Sequence, residues 1–453
     1  MRILPAIVLA SCIALIGVGE LARSQITAID PAAEARFNRA AADHKRELND
    51  LRTLRGESPL ALSDATADSI AEVLAARLPE DAIPPEAVYP DRTAVLFYDW
   101  TAGELRSWLV TVGGIQAYNS QTIEAEDLRQ RIAQLRWALA VGKLQQARLP
   151  RRVDSTSNQR SLVAVGKEPR LPRVPLKRAI AELTELLLPK TIADELQSIE
   201  HLIVVPVGEL GMVPYAMLQP FADGAPLVER MSVSIAPSLF DLGVPIAPWE
   251  SEWAFSEPLL VGNPKFPSGN EWEFPPLPGA EAEVNAVATQ LEARPLLGAE
   301  ATKTVAIAQA SRARFLYFAT HGLSDPRNPL SGGFLLFAAS RLSEARWSAR
   351  EIQSTRLQAE LAVLSACQTG LGQAHDAGTI GLARAFQIAG VPRVVMSLWN
   401  VDDYATNQLM QAFVRHLEEA VPAEALRLAM LEMKQDRPNP VEWASFMLFG
   451  TPR

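Results

Sequence analysis

Two cysteines, five histidines and a single long apolar run are all that 453 residues offer of the features that mark special protein classes. Cys12 lies inside that run, so Cys367 is the one thiol in the body of the chain, and neither an internal disulfide nor a multi-cysteine zinc site can be built there. The histidines form no HExxH pair, which weighs against a metal-dependent hydrolase, and no metal or cofactor is expected. Positive charge is also short: 43 Lys and Arg against 52 Asp and Glu give a net charge of -9 and a pI near 5.3. A surface of that sign does not suit phosphate contacts, so no nucleic-acid partner is expected. No fixed-period repeat recurs, which excludes a helical repeat array.

What is present is enough hydrophobic residue, 48% of the chain, for one large or two ordinary domains. The apolar run follows Arg2 and precedes Ala22-Arg23-Ser24, the layout of a secretory signal with a small-x-small cleavage site. Two other readings share these residues: Leu9-Ala10-Ser11-Cys12 as a lipobox that would lipidate Cys12, and an uncleaved anchor tethering the chain to a membrane. Each places the rest of the chain outside the cytoplasm. The expected organisation is a signal peptide or anchor over 1–24, a helical region over 25–86, a hairpin and helix over 87–148, a linker over 149–178 and a main core over 179–453.

In the helical region, Ala-rich charged segments broken at 56–59 predict two amphipathic helices. Aromatic and β-branched runs on either side of Ala102-Gly103 predict a β-hairpin, and Leu128, Ile132, Leu135 and Leu139 mark one face of the helix after it. The linker is rich in Pro, Ser and basic residues and reads as a long exposed loop. Beyond it, strands at 202–205, 259–264, 314–322, 361–364 and within 391–403 alternate with helices at 277–291 and 378–390. That alternation predicts an α/β fold, a mainly parallel sheet with helices on both faces.

Two of these strands end on groups that do chemistry together. Cys367 follows the apolar strand Leu361 to Leu364, and His321 ends the strand read in Arg314 to Gly322. The two are 46 residues apart, enough for one crossover, so a parallel sheet can bring both to its carboxyl edge. A thiol must lose its proton to attack a carbonyl, and a nearby imidazole takes that proton and returns it to the leaving group. The competing reading is a cysteine that merely fills a core. His375, in the loop after Cys367, is the rival base; His44, His201 and His416 read as structural or solvated. Gly322, beside His321, leaves its backbone N–H open to the approach of a substrate oxygen.

The segments VPVGELGMVPYAML, APSL, LPGAEAEV, FATHG, VLSACQTGLG, GLARAFQIAGVPRVVMSLWNVDD and NPVEWASFMLFG occur in that order. Together they resemble the CHAT family of caspase-like cysteine peptidases, whose clan also holds caspases, separases, legumains and gingipains. The resemblance implies a caspase-like fold, Cys367 as nucleophile, His321 as general base, and the N–H groups of Gly322 and Cys367 as oxyanion donors. It also implies that Asp402 or Asp403 lies in a pocket for Arg or Lys before the cut bond, unless both only cap the next helix. The substrate would be a protein or peptide, with a protein activator as a further partner, and the basic linker would be a target for self-cleavage. Some relatives carry tandem helical repeats and work inside cells, so a catalytically silent signalling or assembly module is the alternative.

Overall fold

The computed structural model describes residues 31–54, 65–75, 92–101, 103–140, 151–152, 174–243, 248–267, 272–323, 333–365, 373–375, 378–399 and 403–450. The targeting segment 1–24, Cys367 and Asp402 all lie outside the described residues.

The first strands, β1 (Thr93–Thr101), β2 (Glu104–Thr111) and β3 (Gly114–Thr122), form an antiparallel meander. Alternation along β1 sends Ala94, Leu96 and Tyr98 into one hydrophobic core and Val95 and Phe97 into another. On the second face lie the helices Pro31–Leu54 and Ala67–Ala75, through Phe37, Ile70 and Leu74, against Phe97 and Trp108. The Trp108 indole N–H donates to the Ala33 carbonyl at 3.0 Å, fixing the first helix to β2. On the other face, Leu128, Ile132 and Leu135 of the helix Ala125–Ala140 meet Ile180 and Leu183 of the helix Leu176–Leu187.

The meander is one end of an eleven-stranded sheet. β1 runs parallel to β5 (His201–Val205), β5 to β6 (Ser232–Ile235), and β6 to β18 (Phe446–Phe449). β18 is antiparallel to β17 (Arg393–Ser397), and the direction reverses there. From β17 the sheet continues in parallel through β14 (Leu361–Leu364), β10 (Phe315–Ala319), β7 (Pro258–Pro264) and β9 (Leu296–Gly298). The β1-β5-β6-β18 block and the β17-to-β9 block therefore point their carboxyl ends to opposite edges. A small sheet of β11 (Gly322–Leu323), β12 (Phe334–Leu336) and β13 (Arg346–Ser348) stands just past β10.

The expected α/β sheet with helices on both faces and a helical N-terminal region is observed, with four differences in detail. β3 went unpredicted because GIQAYNSQT is polar and mostly solvent-touched, as an edge strand tolerates. β6 and β18 are only four residues long, too short for a period to register. The linker is not wholly loop: Arg151–Arg152 (β4) pairs with Trp272–Glu273 (β8), and its last residues, Lys177 and Arg178, belong to the helix from Leu176. Pro175 precedes that helix, and Ile180, Leu183 and Leu187 hold it to the core. The helix expected over 378–390 forms only as Leu382–Ala389, because 378–380 pairs as β16 with β15 (Gln373–His375).

Candidate functional site

The carboxyl ends of β10 and β14 are neighbours in register, Phe315 opposite Leu361 and Phe318 opposite Leu364. Both strands are fully buried apolar runs, as a strand covered on both faces requires. On the other side of β14, its amino end is tied to β17 by charge. Arg393, at the start of β17, is fully buried and donates to Glu360, the residue before β14, at 2.9 Å.

Past β10 the chain is held at each step. The Thr320 hydroxyl donates to the Leu336 carbonyl at 2.6 Å, and the Leu336 N–H donates to the His321 carbonyl at 2.9 Å. Gly322 is then opposite Leu335, and antiparallel alternation turns its N–H away from β12. His321 is only 3% exposed. Its Nε2 lies 2.8 Å from the Pro275 carbonyl oxygen, and Phe266 and Phe274 flank the ring at centroid distances of 4.6 and 5.5 Å. A carbonyl can only accept, so Nε2 carries the proton and Nδ1 carries the basic lone pair.

The Pro275 carbonyl is itself positioned. Asn263, at the end of β7 in a left-handed conformation (φ 41°), accepts from the Leu277 N–H at 2.7 Å and donates to Glu281 at 2.9 Å. Sequence reasoning missed Pro275, Asn263 and the two phenylalanines. The Gly-Asn-Pro that ends β7 was the one available signal, since Asn is among the few residues that accept positive φ.

A second network supports the β14 end. Tyr317 donates to Glu283 at 2.5 Å and shares a hydrogen bond with Ser365, two residues before Cys367. Burial, then the Glu283 charge, pushes the Tyr317 phenol well above its usual range, so it stays protonated. Glu283 is 3% exposed.

Of the sequence-predicted site residues, the structure describes His321, Gly322 and the backbone of Asp403, which opens the helix Asp403–His416. The segment leading to that helix is anchored by the Leu398 N–H on the Ser445 carbonyl at 2.7 Å and the Trp399 indole on the Val441 carbonyl at 3.0 Å. His201 is bonded to Ser232 at 2.7 Å and burial lowers its pKa; His416 meets Glu432 at 3.2 Å. His44 is buried rather than solvated, and His375 lies in β15. Among the described residues no group of three or more His, Cys, Asp or Glu is arranged to hold a metal ion, and no helix is long and apolar enough to cross a membrane.

A match to the CHAT domain covers residues 177–451, from the helix preceding β5 through β18. The chain belongs to the CHAT domain family. Among curated proteins, the chain is 28% identical over 294 residues to tetratricopeptide repeat protein 28 of Homo sapiens, an alignment covering 55% of this chain and 12% of that protein. The chain thus spans a small fraction of the length of the curated relatives it matches. Among solved structures it is similar to the Arg-specific cysteine proteinase gingipain R, with a TM-score of 0.41 and 11% identity over 61% of this chain and 67% of that one. It is also similar to the Saccharomyces cerevisiae separase–securin complex, with a TM-score of 0.46 and 10% identity over 80% of this chain and 30% of that one. The CHAT match begins within the last residues of the basic linker, and the N-terminal meander lies outside it although β1 continues the same sheet.

Proposed function

We propose that this CHAT protein is an exported or envelope-associated cysteine endopeptidase that hydrolyses peptide bonds through Cys367 and His321. The observation that carries the reading is the level ending of two adjacent parallel strands. His321 comes three positions after Phe318 and Cys367 three positions after Leu364, and Phe318 and Leu364 are register partners. In this reading the Cys367 thiol gives its proton to His321 Nδ1 and the sulfur attacks the scissile carbonyl carbon. The resulting oxyanion accepts from the Gly322 and Cys367 N–H groups, worth roughly 10²–10³-fold in rate for such a donor. The imidazolium then protonates the departing amine, and water, losing its proton to the imidazole, hydrolyses the thioester. The bond from Nε2 to Pro275 keeps the ring in the tautomer this needs.

Asp402 and Asp403 follow the strand next to the nucleophile, where a carboxylate in a pocket would select Arg or Lys before the cut; Asp403 at the head of its helix is also placed to serve that helix's N-terminus. With this preference, the basic linker over 149–178 is a substrate for self-processing. No cofactor enters, and a protein activator would act by ordering the site. Export rests on the 1–24 segment, which would be removed as a signal or kept as a membrane tether.

A panel of fluorogenic peptides varied at the residue before the cut, run under reducing conditions with the wild type, Cys367→Ala and His321→Ala, tests the reading. Cleavage after Arg or Lys is expected, abolished by Cys367→Ala and lowered roughly 10²–10⁴-fold by His321→Ala. Intact masses of wild type and Cys367→Ala that differ only by the sulfur lost in the substitution, with no cut in the linker, would sink self-processing alone. The second reading, a silent signalling or assembly module, is favoured by the match to a tetratricopeptide repeat protein. It predicts no cleavage of any peptide and full function in Cys367→Ala.

A further inference from the structure

Where the helix Pro31–Leu54 crosses the carboxyl end of β1, outside the CHAT match, there is a cavity of about 460 Å³. That volume falls within the roughly 300–1,000 Å³ of small-ligand sites. Its walls carry Asp43, Glu47 and Asp50 from the helix and Asp99 from the strand, with Arg46, paired with Asp43, the one guanidinium among the described lining residues. Because β1 belongs to the block that points away from the β10 and β14 ends, this cavity opens on the other edge of the sheet from His321.

Two features show that the acidic lining is more than a solvated helix face. His44 lines the cavity, is 6% exposed, and its buried Nε2 has no hydrogen-bond partner. Leaving such an atom unmet is unfavourable, and a donor brought by a ligand would relieve it. Asp99 is raised from the usual carboxylate range, first by burial and in part by the facing Asp43; the Thr101 hydroxyl, which donates to it at 3.0 Å, and Arg106, 3.7 Å away, offset this only partly. A neutral imidazole nitrogen can accept a hydrogen bond, and two opposed carboxylates gain from a cation between them.

We infer that this cavity binds the guanidinium of an arginine in a basic peptide segment. A guanidinium carries enough donors to serve a carboxylate in a forked pair and a further acceptor, such as a neutral imidazole nitrogen, at once. A lysine ammonium lacks the fork. The peptide context follows from the helix: Asp43, Glu47 and Asp50 are spaced i, i+4 and i+7, a carboxylate stripe leading from the half-buried Asp43 to exposed Glu47 and Asp50, where a second basic side chain would lie. The site would hold a basic partner or substrate segment away from the cutting edge.

Calorimetric titration of full-length Cys367→Ala protein with the peptide acetyl-Ala-Arg-Ala-Arg-amide tests this. One saturable site is expected, at least tenfold weaker for the Lys counterpart, for agmatine (the guanidinium without a peptide) and for an added Asp99→Asn change. Asp50→Asn, an exposed substitution that leaves the core untouched, should weaken it about threefold. The Asp402→Ala, Asp403→Ala double variant should bind unchanged, which separates this cavity from the specificity pocket proposed above. Affinity insensitive to both Asp99→Asn and Asp50→Asn, loss only in the Asp402/Asp403 variant, agmatine binding as tightly as the peptide, or binding of calcium or magnesium chloride alone in place of the peptide would each overturn the assignment.

Discussion

Acidification should loosen the N-terminal helix before it affects the rest of the molecule, and His44 gives the size of the effect. Its ring is stacked on Phe240 at 6.2 Å and meets Phe97 edge-on at 6.0 Å, and burial lowers its pKa from 6.5 to about 4 despite the opposing pull of Asp241. Because the folded pKa lies below the unfolded one, the unfolded state binds the proton first as pH falls. The stability contribution is complete above pH 6.5, declines by about 1.4 kcal/mol per unit between 6.5 and 4, and is gone below that. The total is about 3 kcal/mol. The helix is held by Phe37, Ala40 and Ala41 and by the Trp108 bond to Ala33, so the loss appears as local opening of Pro31–Leu54. Hydrogen exchange of peptides from that helix, corrected for intrinsic rates, reads it directly. Comparison with His44→Phe, which keeps the aromatic packing, cancels the titration of Asp43, Asp99 and Asp241. Wild type and His44→Phe should diverge below pH 6.5. Parallel opening free energies down to pH 4 would refute the reasoning.

Other perturbations have equally definite signs. Glu360→Ala leaves the fully buried Arg393 without its 2.9 Å partner and should cost about 3–5 kcal/mol in urea denaturation, with much of the loss recovered by adding Arg393→Met. Gly390 closes the helix Leu382–Ala389 at φ 115°, and a Cβ there would lie 2.7 Å from the Leu357 carbonyl oxygen; Gly390→Ala should lower the melting temperature by several degrees. Tyr317→Phe removes the hydroxyl between Glu283 and Ser365 and should cost about 1–3 kcal/mol, while Phe318→Tyr, one residue along in the same buried strand, should not shift Ser365 specifically. If Cys367 is the nucleophile proposed above, peptidase assays on Tyr317→Phe should show kcat falling more than KM rises, because Ser365 precedes it by two positions.

The parallel core strands were readable because a strand buried on both faces is an uninterrupted apolar run, as in Leu361 to Leu364 and Phe315 to Ala319. The hairpin was readable from its turn, and the CHAT segments fixed the family. The reversal between β17 and β18 was not, since four apolar residues at the chain's end give no direction. Nor was the Pro275 carbonyl visible: a backbone acceptor carries no residue signature, and only the turn at Asn263 brings it to His321. His44 read as one more residue of a charged helix because its burial depends on Phe97 and Phe240, distant in the chain.

The central claim is that His321 and Cys367 act as a pair at the ends of two register-matched strands. The rate of Cys367 alkylation by iodoacetamide, followed by peptide mass analysis from pH 5 to 9, tests it most directly. A paired thiol should react well below pH 8 in the wild type and shift toward the ordinary cysteine profile, near pH 8.5, in His321→Ala. The same profile in both proteins would contradict the account.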